Sequence, residues 1–205
     1  NRYMAQLRDV DYQRNRTLFR GNLRRIGHVM AYELSRTLRY SDKTVVTPLG
    51  EKRVSTPDDH IVVGTVLRAG LAFHEGFLDV FDEADSAFVA AYREEGRRED
   101  LKIRLEYIAT PQLDGCTFLL VDPMLATGSS LVLTYNALCE KGGTPAHTHV
   151  AAVVASEQGL DYAMKNMPRQ TTTIWTAVVD EELTSRSYIV PGIGDAGDLA
   201  YGEKI

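Results

Sequence analysis

Apolar strands alternating with amphipathic helices predict an α/β fold on a largely parallel sheet. Apolar runs, several rich in β-branched residues, recur at residues 61–67, 86–92, 117–121, 147–155 and 171–178, as in strands covered on both faces. Helical patterns separate most of them, over residues 71–81, 130–141 and 157–167, and strand–helix–strand order sets successive strands parallel. The length of 205 residues suits one core, so residues 1–205 are expected to form a single domain.

Taken in order, residues 18–38 place Leu23, Ile26, Val29, Met30, Leu34 and Leu38 at helical spacing between Arg24, Arg25, Glu33 and Arg36. That stripe predicts a helix laid on the sheet. Residues 61–67 (IVVGTVL) then form a strand, Arg68-Ala69-Gly70 a tight loop, and Leu71, Phe73, Phe77, Leu78 and Phe81 the face of the next helix.

Two segments break the rhythm. In residues 93–110, Leu101, Ile103, Leu105 and Tyr107 alternate with Lys102, Arg104 and Glu106, a period of two that predicts a two-stranded arm. An isolated hairpin cannot cover such an apolar face, so a second subunit is expected against it, in a homodimer or higher homo-oligomer. The tail, residues 181–205, carries Pro191, Gly192, Gly194, Gly197 and Gly202 and reads as mostly loop.

Composition narrows the function. With 44% hydrophobic and 25% charged residues the chain should fold. Twenty-three basic against 28 acidic residues give a net charge of −5, which argues against a nucleic-acid partner. The longest apolar runs, such as residues 150–155, fall far short of the roughly 20 residues that span a bilayer, so no membrane partner is expected. Cys116 and Cys139 are too few for a disulfide framework or a structural zinc site and point to the cytoplasm. His147 and His149 share one strand face without a third ligand nearby in sequence, and no protein metal site is assigned.

Residues 117–122 (TFLLVD) end a strand in an acid, and residues 123–130 (PMLATGSS) lead to a helix. Such a turn aims backbone N–H groups and a helix N-terminus at one point, where a phosphate would fit. Thr127, Ser129 and Ser130 add hydroxyls, and Gly128 admits close backbone approach. No Gly-Lys-Ser/Thr triplet is present, which removes the main support for a nucleotide triphosphatase. Local chemistry alone leaves an ordinary capped turn as an equal reading.

The stretch LLVDPMLATGSS (119–130) resembles the phosphoribosyl pyrophosphate (PRPP) motif of phosphoribosyltransferases, in the form carried by the uracil phosphoribosyltransferase family. VLRAGLAFHEGFLDVF (66–81) and YIVPGIGDAGDLAYG (188–202) resemble two further motifs of that family, in its order. The resemblance runs from about residue 47 to the C-terminus. It implies a type I phosphoribosyltransferase fold, with a β-arm at 93–110 and a base-binding hood at 181–205. It also implies the reaction of uracil with PRPP to give UMP and pyrophosphate, in pyrimidine salvage.

Residue by residue, the resemblance implies that Asp122, Pro123, Met124, Leu125, Ala126, Thr127, Gly128, Ser129 and Ser130 hold the ribose and its 5′-phosphate. Arg68 and Arg93 match pyrophosphate contacts, a role that permanent charge suits. Asp195 matches a PRPP contact made through magnesium-bound pyrophosphate, and Ile189, Gly194, Asp195 and Ala196 match the uracil site. Arg68, Asp122 and Asp195 are the implied catalytic residues, and Mg2+ is the implied cofactor, held mainly by PRPP oxygens. The chain departs from the pattern at Pro123, where many relatives of other base specificity carry a second acid, and at Ser129, Ser187 and Leu199. Two other readings use the same scaffold: an RNA-binding regulator that senses UMP or PRPP, and a pseudoenzyme. The acidic total argues against the first, and the presence of Arg68, Arg93, Asp122 and Asp195 against the second.

Overall fold

The computed structural model describes residues 1–93 and 103–204. Helices α1 (Arg2–Arg8), α2 (Val10–Gln13) and α3 (Arg16–Ser35) open the chain. The Asn15 side chain caps α3 by accepting from the Leu18 N–H at 3.1 Å. Phe19, Leu23, Ile26, Ala31 and Leu34 are buried, whereas Val29 is 53% exposed. At 100° per residue Val29 falls just beyond the buried arc, so the stripe is narrower than the sequence suggests.

A hairpin follows, β1 (Tyr40–Thr47) and β2 (Gly50–Pro57), which among the described residues pair only with each other. The sequence gives it no apolar alternation because both faces are largely exposed, and Leu49 at the turn is 99% exposed.

The remaining helices and strands are β3 (Ile61–Leu67), α4 (Leu71–Leu78), β4 (Asp85–Arg93), β5 (Ile103–Ala109), β6 (Thr117–Leu125), α5 (Ser129–Gly142), β7 (His147–Ser156), α6 (Glu157–Asn166) and β8 (Thr172–Asp180). Six strands make the main sheet in the order β5-β4-β3-β6-β7-β8. All neighbours are parallel except β5, which runs antiparallel to β4 with a register shift between Ala90 and Ala91. Residues 103–109 of the predicted arm are therefore the edge strand of this sheet, where Tyr107 is 55% exposed. The arm's tip, with Leu101 and Lys102, lies outside the described residues, as do the side chains of Ile103 and Leu105.

Alternate residues of each central strand enter opposite cores. Val63, Leu119, Val121, Ala151 and Val153 pack with α3 and α4, while Val62, Phe118, Leu120, Val150 and Ala152 pack with α5. The tail is more ordered than the sequence suggests. It forms a small ladder, β9 (Glu182–Leu183) with β10 (Ile189–Val190), then α7 (Ala196–Tyr201). These elements are too short to leave a periodic signal, and Asp195 caps the helix. Among the described residues, no helix is long and apolar enough to cross a membrane.

From β3 the chain moves outward through β4 to β5, then returns to β6 on the other side of β3 and moves outward again through β7 to β8. The loops after β3 and β6 thus leave adjacent strands toward opposite faces. A crevice at such a switch point, at the carboxyl ends of the strands, is where open α/β sheets bind ligands.

Candidate active site

Arg68 follows β3 on one side of this crevice, and the phosphate loop follows β6 on the other. The loop is shorter than the sequence suggests. Strand β6 continues through Asp122, Pro123, Met124 and Leu125, because β7 still pairs with it at Ala152, Val154 and Ala155. Pairing with β3 ends at Val121, so Pro123 lacks an N–H where no β3 acceptor stands opposite it.

Ala126, Thr127 and Gly128 make the turn itself, and α5 begins at Ser129. Gly128 stands at φ +78 and supplies no side-chain cap, so the first N–H groups of this 14-residue helix remain directed at the crevice. The Thr127 and Ser129 hydroxyls lie 2.8 Å apart. Together these groups make a cradle of donors of the kind that suits an anion.

The far side of the loop is braced by the start of α6. Ser156 Oγ donates to the Ala126 carbonyl at 2.5 Å and accepts from the Gly159 N–H at 2.9 Å. A Cβ on Gly159 would come within 2.3 Å of the Ala126 carbonyl oxygen, so only glycine permits this approach. The resemblance did not point to Ser156 or Gly159; the signal that could have done so is a serine at a strand end before a helical pattern.

Among the described residues, the Asp122 carboxylate accepts one hydrogen bond, from the Met124 N–H at 3.2 Å. Burial pushes its carboxyl up to about 7, and that hydrogen bond only partly offsets the effect. Arg68 is bound to the tail: Nη2 donates to Asp198 Oδ1 at 2.9 Å and Nη1 to the Gly202 carbonyl at 3.0 Å. This ion pair is about one-third exposed on both sides. Arg93 ends β4, and its side chain lies outside the described part of the structure.

In the tail, Ile189 pairs with Leu183, and Gly192 and Gly194 take φ values of +57 and +80. Asp195 Oδ1 accepts from the Asp198 N–H at 3.0 Å, and Ala196 is fully buried. Met124 at the end of β6 and Ala126 in the turn after it belong to the same apolar cluster as Ile189, Ile193 and Ala196. The fold thus gathers the three motif segments at one end of the sheet.

His147 and His149 stand at the other end, at the start of β7. His147 Nε2 lies 2.9 Å from Thr173 Oγ1, and His149 Nδ1 accepts from Trp175 Nε1 at 3.1 Å. Burial pushes His149 down to about 4.

The family model for uracil phosphoribosyltransferase matches residues 1–203. The chain belongs to the uracil phosphoribosyltransferase family. It is accordingly an enzyme of pentosyl transfer, and neither the regulator nor the pseudoenzyme finds support among its relatives. A Porphyromonas gingivalis protein named uracil phosphoribosyltransferase is 51% identical over 205 residues, spanning 100% of this chain and 94% of its own. A solved structure of an Aquifex aeolicus protein superposes with a TM-score of 0.86 at 29% identity, covering 99% of this chain and 95% of that one. A hypoxanthine-guanine phosphoribosyltransferase from Bacillus anthracis, 11% identical over 80% of each chain with a TM-score of 0.50, shares the type I fold alone.

Proposed function

We propose that this enzyme joins uracil to the phosphoribosyl group of PRPP through the residues gathered at the β3–β6 crevice. The observation that carries this reading is the convergence there of a donor-lined phosphate loop, an arginine at a strand end and a glycine-rich base loop. The backbone of 126–130 takes the 5′-phosphate, with the Thr127, Ser129 and Ser130 hydroxyls beside it, and Asp122 accepts from the ribose hydroxyls. Backbone groups of Ile189, Gly194 and Ala196 read uracil, and uracil N1 forms the new bond to ribose C1′ as the C1′–O bond to pyrophosphate breaks, the N1 proton passing to a pyrophosphate oxygen.

Charge builds on the departing pyrophosphate, so Arg68 stabilises it once that guanidinium exchanges Asp198 for phosphate oxygens. Arg93 is the second pyrophosphate contact in this reading. Asp195 uses Oδ1 to cap α7, and nothing described bonds Oδ2, which suits one carboxylate directed at the pyrophosphate end of PRPP. Among the described residues, no group of three or more His, Cys, Asp or Glu is placed to hold a metal. Mg2+ would be held mainly by PRPP oxygens, with Asp195 as a protein contact, and would supply charge neutralisation for the leaving group.

The enzyme works in the cytoplasm in this reading, and as a homodimer. The exposed Tyr107 on the edge strand and Leu49 at the hairpin turn are apolar surface for a second copy. Mass in solution at micromolar concentration should give twice that of the chain; a monomer would remove the dimer.

The activity is tested by turnover of PRPP with uracil, cytosine, orotate, hypoxanthine and adenine side by side. A site that donates to uracil O4 leaves that donor unpaired against the cytosine amine, so uracil should be preferred by on the order of a hundredfold or more. Comparable turnover of cytosine or of any purine overturns the reading.

A further inference from the structure

Of the groups that would read uracil, Ile189 lies in the short β9–β10 ladder and Ala196 opens α7, but the residues between, 191–195, have no ladder or helix of their own. Recognition by backbone groups nevertheless requires those groups to be fixed to a fraction of an ångström. The fixing points come from distant parts of the chain. Asp180, the last residue of β8, is only 7% exposed and divides its carboxylate between two partners. Its Oδ2 accepts from the Gly192 N–H at 2.9 Å, and its Oδ1 accepts from Arg8 Nη2 at 2.8 Å. The Gln13 side-chain amide donates to the Ile193 carbonyl at 2.9 Å and also to the Leu7 carbonyl. Leu7 is fully buried and anchors α1 in the core, so both ties end on a firm support.

The two ties grip the residues that lead directly into Gly194. At Gly192 the chain turns back on itself at φ +57, and a Cβ there would lie 2.2 Å from the Ile189 carbonyl oxygen. The preceding residue, Pro191, has no N–H. The Gly192 N–H is therefore the first donor available for closing the turn, and it is spent on Asp180. A carboxylate makes that bond short and stiff, and Arg8 keeps the buried charge paired.

We propose that Asp180, with Arg8 as its counter-ion, and Gln13 are positioning residues for the base: they hold Gly192 and Ile193 so that the backbone of Ile189 and Gly194 presents uracil with its hydrogen-bonding pattern. The proposal rests on the reading that this loop holds the base. A purely structural role would lower the melting temperature without distinguishing the two substrates, whereas a positioning role acts on uracil.

The test measures KM for uracil at saturating PRPP and KM for PRPP at saturating uracil, with thermal melting alongside, in Asp180→Ala, Asp180→Asn and Gln13→Ala. Asp180→Ala should raise the uracil KM on the order of tenfold while the PRPP KM stays within about twofold. Asp180→Asn, whose amide oxygen still accepts from the Gly192 N–H, should recover most of the loss. Gln13→Ala should raise the uracil KM by about threefold or more; because Gln13 is only half-buried and its loss leaves the Arg8–Asp180 pair intact, it decides the matter if Asp180→Ala does not fold.

An unchanged uracil KM in the folded variants, or an equal rise for both substrates, overturns the proposal. Gly194→Val keeps the two failures apart, since it strains the φ +80 backbone inside the loop itself. If it leaves the uracil KM unchanged, the base is held elsewhere and the proposal falls with the reading beneath it. If it raises the uracil KM while the Asp180 and Gln13 variants do not, the loop remains the base site and only the positioning role is lost.

Discussion

Asp195→Asn and Arg68→Ala should each lower kcat by on the order of a hundredfold or more, the scale of losing one preorganised electrostatic contact in a transition state. Each substitution leaves the fold largely untouched. Asparagine caps a helix about as well as aspartate, so Asp195→Asn keeps the bond from the Asp198 N–H and removes only the charge. Arg68→Ala breaks a partly exposed ion pair with Asp198, of a kind worth about 0–1 kcal/mol, and one hydrogen bond to the Gly202 carbonyl near the C-terminus. Melting temperatures should therefore move little while turnover collapses. UMP carries no pyrophosphate, so its binding should suffer much less than kcat. An unchanged kcat in either folded variant would remove that residue from the pyrophosphate end of the site.

The Arg68–Asp198 pair also shows where sequence reading stopped. Arg68 was legible because it sits between an apolar strand and a helical pattern, in a segment that resembles a known motif. Its partner was not, since 130 residues separate the two and nothing local to Asp198 announces the contact. The same holds for Arg8 and Asp180, which lie 172 residues apart.

The sheet strands and the helices between them were readable because burial on both faces forces continuous apolar runs, as at Val62, Val63, Leu119 and Leu120. The β1–β2 hairpin, exposed on both faces, carries no such signal. Strand β6 runs past the predicted end at 122 for a related reason: Pro123 stands where pairing with β3 has already ended and only β7 remains. Periodicity reports which faces are buried; side-chain ties between distant segments leave no period.

The pH profile of kcat/KM for PRPP should carry an acid limb with a midpoint near 7, set by Asp122. Burial disfavours the charged carboxylate there and the Met124 N–H only partly offsets it, so the group is half protonated near neutrality. In the proposed site the ionised form accepts from the ribose hydroxyls and the protonated form loses acceptor capacity, so kcat/KM should fall about tenfold per pH unit below the midpoint. Phosphate groups of PRPP titrate in the same region, near pH 6, and Asp122→Asn separates the two effects because it keeps the substrate's ionisation and removes the residue's. The variant should be slower at pH 8 and lack most of the limb. Stability should run the opposite way. The folded-state pKa of Asp122 is raised above its ordinary 3.8, so its contribution to stability is complete below about pH 4 and is lost as pH rises through about 7. Between pH 5 and 8 the melting temperature of the parent should therefore fall relative to that of Asp122→Asn. Parallel melting curves across that range, together with an acid limb that survives in Asp122→Asn, would show that Asp122 is not the titrating group.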